Sequence, residues 1–164
     1  RPRTHITRDN LVTKQGGCAV DLDEVNARIK RLRFMQHFDD ELQEKLADLF
    51  QSVSTPRAAP AGGVFIRENE RINDKGYILL DGALLIRKEG YPDVVCAAPQ
   101  LIGEVMQFNP AGVRTATCAG AVDGLILRFT WEQFWSRAAT VLTETELASV
   151  KDALTAPAPE QRAG

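Results

Sequence analysis

Histidine, cysteine and long apolar runs are all scarce in this sequence, and each scarcity removes a class of function. Its 164 residues hold two histidines, His5 and His37, and neither comes together with a Ser and an acid or with a Cys. An enzyme built on nucleophile and base therefore has no candidate set, and the chain reads as a non-enzyme. Three cysteines, Cys18, Cys96 and Cys118, are odd in number, far apart and set in apolar surroundings. That excludes a disulfide framework and a metal site and predicts thiols packed as small buried hydrophobes. No run approaches the length of a membrane span, and the first residues lack the apolar core of a signal peptide. The expectation is a cytoplasmic protein with no membrane partner. Charge of one sign is missing too: 20 basic against 22 acidic residues give a net charge of -2. Nothing in that balance draws the chain to a phosphate backbone, so no direct nucleic-acid partner is expected.

What is present is enough apolar residue, 44% of the chain, for one sizeable core. Residues 1–20 have few apolar positions, no initiator Met and the pair Gly16-Gly17, and read as an extended leader or linker. From Asp21 onward Leu22, Val25, Ile29, Leu32 and Met35 recur at three- and four-residue steps, which predicts one amphipathic helix reaching Phe38. Asp39 or Asp40 is the expected N-cap of a second helix with Leu42, Leu46, Leu49 and Phe50 inward. After Ser52 short apolar runs alternate with turn residues. Tyr77-Ile78-Leu79-Leu80 and Ala83-Leu84-Leu85-Ile86 flank Asp81-Gly82, which predicts a tight hairpin with a type I′ turn. Val94 to Ala98, Thr115 to Ala121 and Leu125 to Phe129 add further strands. With no helix-length connection between them, a barrel or sandwich is favoured over a parallel sheet. Thr130 with Gln133 and Thr143 with Glu146 have capping-box spacing and open two C-terminal helices, the first with Trp131, Phe134, Trp135 and Ala138 on one face. The second turns Leu147, Val150 and Leu154 inward, and Thr140-Val141-Leu142 forms the break between the two. The prediction is an α+β domain over residues 21–154, helices then β-barrel then helices, with a Pro/Ala-rich disordered tail over 155–164.

The chemistry concentrates between Leu101 and Thr117, where Glu104 and Arg114 stand in otherwise apolar sequence. Gly103-Glu104-Val105-Met106-Gln107 follows a strand and has room for a short helix before Pro110-Ala111-Gly112. A helix N-terminus presents unpaired N–H groups and partial positive charge to a phosphate, and Gly103 would let that phosphate come close. Arg114 can add a permanently charged, forked guanidinium. Glu104 cannot face phosphate itself, but can accept a hydroxyl hydrogen, as from a ribose. The same two residues could equally form a structural ion pair.

This segment, Gly103-Glu104 followed by Arg114-Thr115-Ala116-Thr117, resembles the phosphate-binding cassette of the cyclic nucleotide-binding domain family. The resemblance spans about residues 30 to 140. Phe38 to Leu42 is similar to that family's turn into its second helix, Pro60 to Phe65 to its strand entry, Tyr77 to Gly82 to an apolar strand followed by Gly, and Leu127-Arg128-Phe129 with Phe134 to the last strand and hinge helix. The resemblance implies a jelly-roll β-barrel flanked by N-terminal helices and C-terminal hinge helices. It also implies that the amides of Glu104 and Val105 and the side chain of Arg114 hold a cyclic phosphate, that Glu104 takes the ribose 2′-hydroxyl, and that Thr115 adds a hydroxyl contact. The ligand would be cAMP or cGMP, with cyclic dinucleotides open, and no further cofactor. The chain departs from the pattern at Ala98 to Ile102, where the family usually has a Gly, and in having no aromatic after Trp135 to cover a base. Trp131 and Trp135 suit packing better than a lid.

Two functions follow from this reading. One is a cyclic-nucleotide sensor whose ligand reorders the C-terminal helices and signals to another domain of a longer parent chain or to a homodimer partner. The other is a ligand-free interaction or dimerisation module on the same fold. A transcription factor of the catabolite-activator type needs a helix-turn-helix, for which too little sequence follows Leu154 here, while a longer parent chain could carry one.

Overall fold

The computed structural model describes residues 21–71, 74–103 and 113–155. Glu104 and Val105, and with them the expected short helix, lie outside the described residues, as do Cys18, the leader and the tail.

Helix α1 (Leu22–Lys30) starts where Asp21 accepts the amide of Glu24 at 2.8 Å. It does not run on to Phe38. After Arg31 the chain turns extended at Leu32 (ψ 146°), and residues Arg33–His37 form a separate 3₁₀ turn. The apolar period survives the break because Leu32 and Met35 still reach the core. The Gln36 side chain donates to the carbonyls of Lys30 and Leu32, satisfying acceptors that a continuing helix would have used. Helix α2 (Asp40–Val53) is capped by Asp39 and buries the expected face.

Six strands follow among the described residues: β1 (Thr55–Ala59), β2 (Val64–Ile66), β3 (Lys75–Arg87), β4 (Val94–Ala97), β5 (Gln100–Ile102) and β6 (Thr117–Thr130). All pairings between strands are antiparallel. The sheet is not a closed barrel: its order is β1-β6-β3-β4, with β2 added beside β6 and β5 beside β3. The two long strands organise it. Their first union, β3 over residues 75–79 with β6 over residues 126–130, is flanked by β1 and β5; their second, β3 over 83–87 with β6 over 117–122, is flanked by β2 and β4. Tyr77, Leu79, Leu84, Ile126 and Cys118, drawn from both unions, share one buried cluster, so the two halves face each other. Ile78, Leu80, Leu125 and Leu127 point the other way, into the core under the helices.

The Asp81-Gly82 pair makes no hairpin turn. It lies inside β3, where the register against β6 shifts between Leu79 and Leu84. Gly82 has φ +97°, and a Cβ there would meet the backbone of Asp123 and Gly124 at 3.0 Å; a Cβ on Gly124 would fall 2.0 Å from the Asp81 carbonyl oxygen. The positive φ expected of a turn is thus used for a bulge at which two strands pass in close approach. For the same reason the two predicted strands around Asp123-Gly124 are one strand, β6. The chain reverses instead at Gly90 (φ +85°), with Tyr91 donating to the Lys88 carbonyl at 3.0 Å.

Helix α3 (Trp131–Val141) opens as predicted, with Thr130 accepting the Gln133 amide at 3.3 Å. Helix α4 (Glu144–Thr155) has the full reciprocal box: the Glu146 amide donates to Thr143 Oγ1 at 3.1 Å and the Thr143 amide donates to Glu146 Oε1 at 3.0 Å. Phe50 of α2 stacks on Phe134 of α3 at 4.5 Å, and Phe129 of β6 meets Phe50 and Trp131 edge-on. Such pairs add about 0.5–1.5 kcal/mol each beyond area burial and bind the N- and C-terminal helices to one sheet face. Trp131 is therefore core, as expected. Cys118 is buried, but Cys96 is only half-buried on β4, and burial still pushes its thiol above the ordinary range.

Candidate functional site

Strand β5 ends at Ile102, and Gly103 directly after it has φ +91°. That backbone is strained for any residue with a Cβ. The space is also taken: a Cβ would meet Arg114 Nη1 at 3.1 Å and the Lys75 carbonyl oxygen at 3.3 Å. Arg114 is 2% exposed. Its Nη2 donates to the Lys75 carbonyl at 3.2 Å, at the first residue of β3. Its backbone is fixed separately, since the Arg114 amide donates to the Glu70 carbonyl at 2.8 Å and the Asn69 amide donates to the Arg114 carbonyl at 2.9 Å. Val113 bridges Arg71 in the same ladder.

Burial pulls the Arg114 guanidinium below its usual range, because a charge is disfavoured away from water; Tyr77, Cys118 and Glu70 act in the opposite sense. Arginine nonetheless stays charged in proteins. The result is a planar cation set at the junction of β5, β3 and the entry to β6, with glycine clearing the space beside it. A bidentate oxyanion suits that geometry better than a single-point acceptor.

Of the sequence-predicted residues, Gly103 and Arg114 are brought together. Thr115 is half-buried in the bend leading to β6, and Ala116 after it is buried. Glu104 and Val105 fall outside the described residues. Lys75 was not anticipated: it acts through its carbonyl, 39 positions from Arg114, and a backbone acceptor leaves no mark on residue type. Asp74 was also missed as a cap. Its carbonyl accepts the Trp131 amide at 2.8 Å and its carboxylate accepts the Glu132 amide at 3.0 Å, so the residue before Lys75 holds the start of α3. An Asp ahead of a strand is an ordinary turn signal, and nothing local says that it caps a helix more than fifty residues on.

No family model matches the sequence, and no curated protein matches it significantly. Solved structures do resemble the fold. The N-terminal domain of a transcriptional regulator from Streptomyces coelicolor A3(2) superposes with a TM-score of 0.59 at 18% identity, over 77% of this chain and 88% of that one. The sensor domain of the transcriptional regulator DNR from Pseudomonas aeruginosa gives 0.58 at 14% identity, over 79% and 90%. PKAR CBD2 bound to Sp-2Cl-cAMPS gives 0.58 at 17% identity, over 81% and 88%. With its open six-stranded antiparallel sheet between N- and C-terminal helices, this chain has the jelly-roll fold of the cyclic nucleotide-binding domains.

Proposed function

We propose that this chain is a regulatory domain that binds a cyclic nucleotide, cAMP or cGMP, and passes the event to its C-terminal helices. One observation carries the reading: on a fold shared with cyclic nucleotide-binding domains, a buried arginine lies against a positive-φ glycine at the end of β5. In this reading Arg114 grips two phosphate oxygens and Gly103 admits the phosphate to backbone amides of Glu104 and Val105. Glu104 accepts the ribose hydroxyl, and Thr115 adds a hydroxyl contact. Arrival of an anion reverses the depression of the Arg114 pKa, since it favours the charged form that burial disfavours. The activity is binding, with no catalytic step and no cofactor besides the ligand. Its receiver is another domain or a second copy of the chain.

A second reading, a ligand-free interaction module, draws on one feature. Arg114 is almost wholly buried and already donates to the Lys75 carbonyl, as a structural strut would. Calorimetric titration with cAMP, cGMP and cyclic dinucleotides decides between the two. Saturable binding that is lost in Arg114→Ala supports the sensor, whereas no binding by any of them at millimolar concentration supports the module.

A further inference from the structure

A groove of about 490 Å³ lies between residues 52–55, where α2 gives way to β1, and the outward stripe of α3. Its walls are polar in one sense. Gln133, Ser136, Arg137 and Thr140 recur at helical steps on α3, facing Ser54 and Thr55. No carboxylate lines it among the described residues. The Ser54 hydroxyl is buried and makes no hydrogen bond with another described residue. A buried hydroxyl without a partner costs on the order of 1–3 kcal/mol, and because this one is closed to solvent, a bound acceptor recovers that cost only when the Ser54 side chain turns outward.

The surrounding charge has the matching sign. Arg137 is on the wall, Arg128 is the cross-strand partner of Thr55, and Arg57 lies two residues along the same strand. None of the three forms an ion pair with another described residue. Four cations elsewhere are paired, Arg28 with Glu24, Lys30 with Glu44, Lys45 with Glu146 and Arg87 with Asp93, so what marks the groove is three guanidinium groups gathered on one side with no carboxylate opposite them among the described residues. The carbonyl end of α2 opposes an anion here with roughly half a charge, which fades within a turn, so full guanidinium charges outweigh it. The Ser52 and Thr140 hydroxyls already donate to the Leu49 and Arg137 carbonyls; the Thr55 and Ser136 hydroxyls and the Gln133 amide, with uncompensated arginine in a concave site within the usual range for small molecules, select a compact oxyanion.

We propose that this groove binds a phosphate monoester of a small soluble molecule, independently of the Arg114 site, and so bridges α2 and β1 to α3. A hollow between two helices fits a compact phosphate rather than the flat array of headgroups on a bilayer. The test is an amide-shift titration of the full chain with inorganic phosphate, against sodium chloride at matched ionic strength. Saturable shifts confined to residues 52–55 and 133–140, present in Arg114→Ala and weakened at least tenfold in Arg137→Gln, are the expected result. Ser54→Ala should weaken phosphate binding while leaving the fold intact. Shifts that never saturate, that chloride reproduces, or that persist unchanged in Arg137→Gln overturn the proposal. Arg137→Gln should also bind cyclic nucleotides as the parent chain does, which keeps this site's outcome separate from that of Arg114.

Discussion

A Cβ placed on Gly103 would stand 3.1 Å from Nη1 of Arg114, so the shape of one residue sets the room for the other. Gly103→Ala therefore meets two penalties, a φ of +91° and displacement of a buried guanidinium. The strain alone is of order 1–3 kcal/mol. We expect a lower denaturation midpoint together with loss of nucleotide binding. A Gly103→Ala chain as stable as the parent would show that the guanidinium can move aside, and that the pair is not a fixed anion site.

Arg114→Ala should remove nucleotide affinity, and Arg114→Lys should not restore it, because an ammonium cannot copy a forked donor pair. Truncating one partner of a buried charge pair costs about 2–5 kcal/mol. At 1.4 kcal/mol per decade that is a loss on the order of thirtyfold to several-thousandfold, within reach of calorimetry. Melting supplies a second measure. Ligand at a hundred times its dissociation constant stabilises the parent by about 2.7 kcal/mol and should leave Arg114→Ala unmoved.

Helix α4 is tied to α2 by one pair. Lys45 Nζ donates to both carboxylate oxygens of Glu146 at 3.1 Å, and Glu146 also closes the α4 capping box. The bond from the Thr143 amide, followed by that from Lys45, holds the Glu146 carboxyl below its ordinary 4.5. A depressed carboxylate contributes stability that is present above its unfolded value and is lost as pH falls through the folded one. Protection of α4 should hold from neutral pH to about 4.5 and then fall. Lys45→Met should weaken that protection at neutral pH by on the order of 1 kcal/mol or less. Unchanged exchange in Lys45→Met would leave the docking of α4 to Val150 and Leu154 alone.

The caps and the faces of α2, α3 and α4 were legible because each depends on residue type at fixed local spacing, whereas Gly103 and Arg114 stood out only as two parts of one phosphate site in a family resemblance, with no sign of their direct contact. Asp39, Thr130 and Thr143 each satisfy the amide three positions on, and that range is visible in sequence. What misled was a signal with two physical uses. Asp81-Gly82 supplies a positive φ, which serves a hairpin turn or a bulge equally well, and the difference is made by Gly124 on another strand. A second Asp-Gly pair at Asp123-Gly124 was the available clue that two glycines face one another. The break at Leu32 was hidden because the 3₁₀ turn keeps Met35 inward and so preserves the apolar period. Lys75 was invisible for a different reason, since its contribution is a carbonyl that any residue would bring.

Asp74 and Lys75 place the candidate site one peptide away from the helices expected to respond. Arg114 donates to the Lys75 carbonyl, while Asp74 accepts the Trp131 and Glu132 amides that begin α3. A ligand that draws the guanidinium toward itself loosens or shifts its bond to Lys75, and the displacement reaches the start of α3 through the adjoining residue. From there it passes over the break at Leu142 to α4. The contacts of Leu147, Val150 and Leu154 should therefore change on binding while the sheet stays in place. A ligand can do this only if it binds one docking of the helices better than the other. Hydrogen exchange at saturating nucleotide should show altered protection over residues 131–154 and none along β3 and β6. Asp74→Ala removes a cap contributing about 0.5–2 kcal/mol to α3 and should uncouple the response, leaving affinity close to that of the parent while the helix signal shrinks. If exchange over residues 143–154 is the same with and without ligand in the parent chain, the message does not leave by this end, and the N-terminal helices α1 and α2, which pack on the same sheet face, become the route to test.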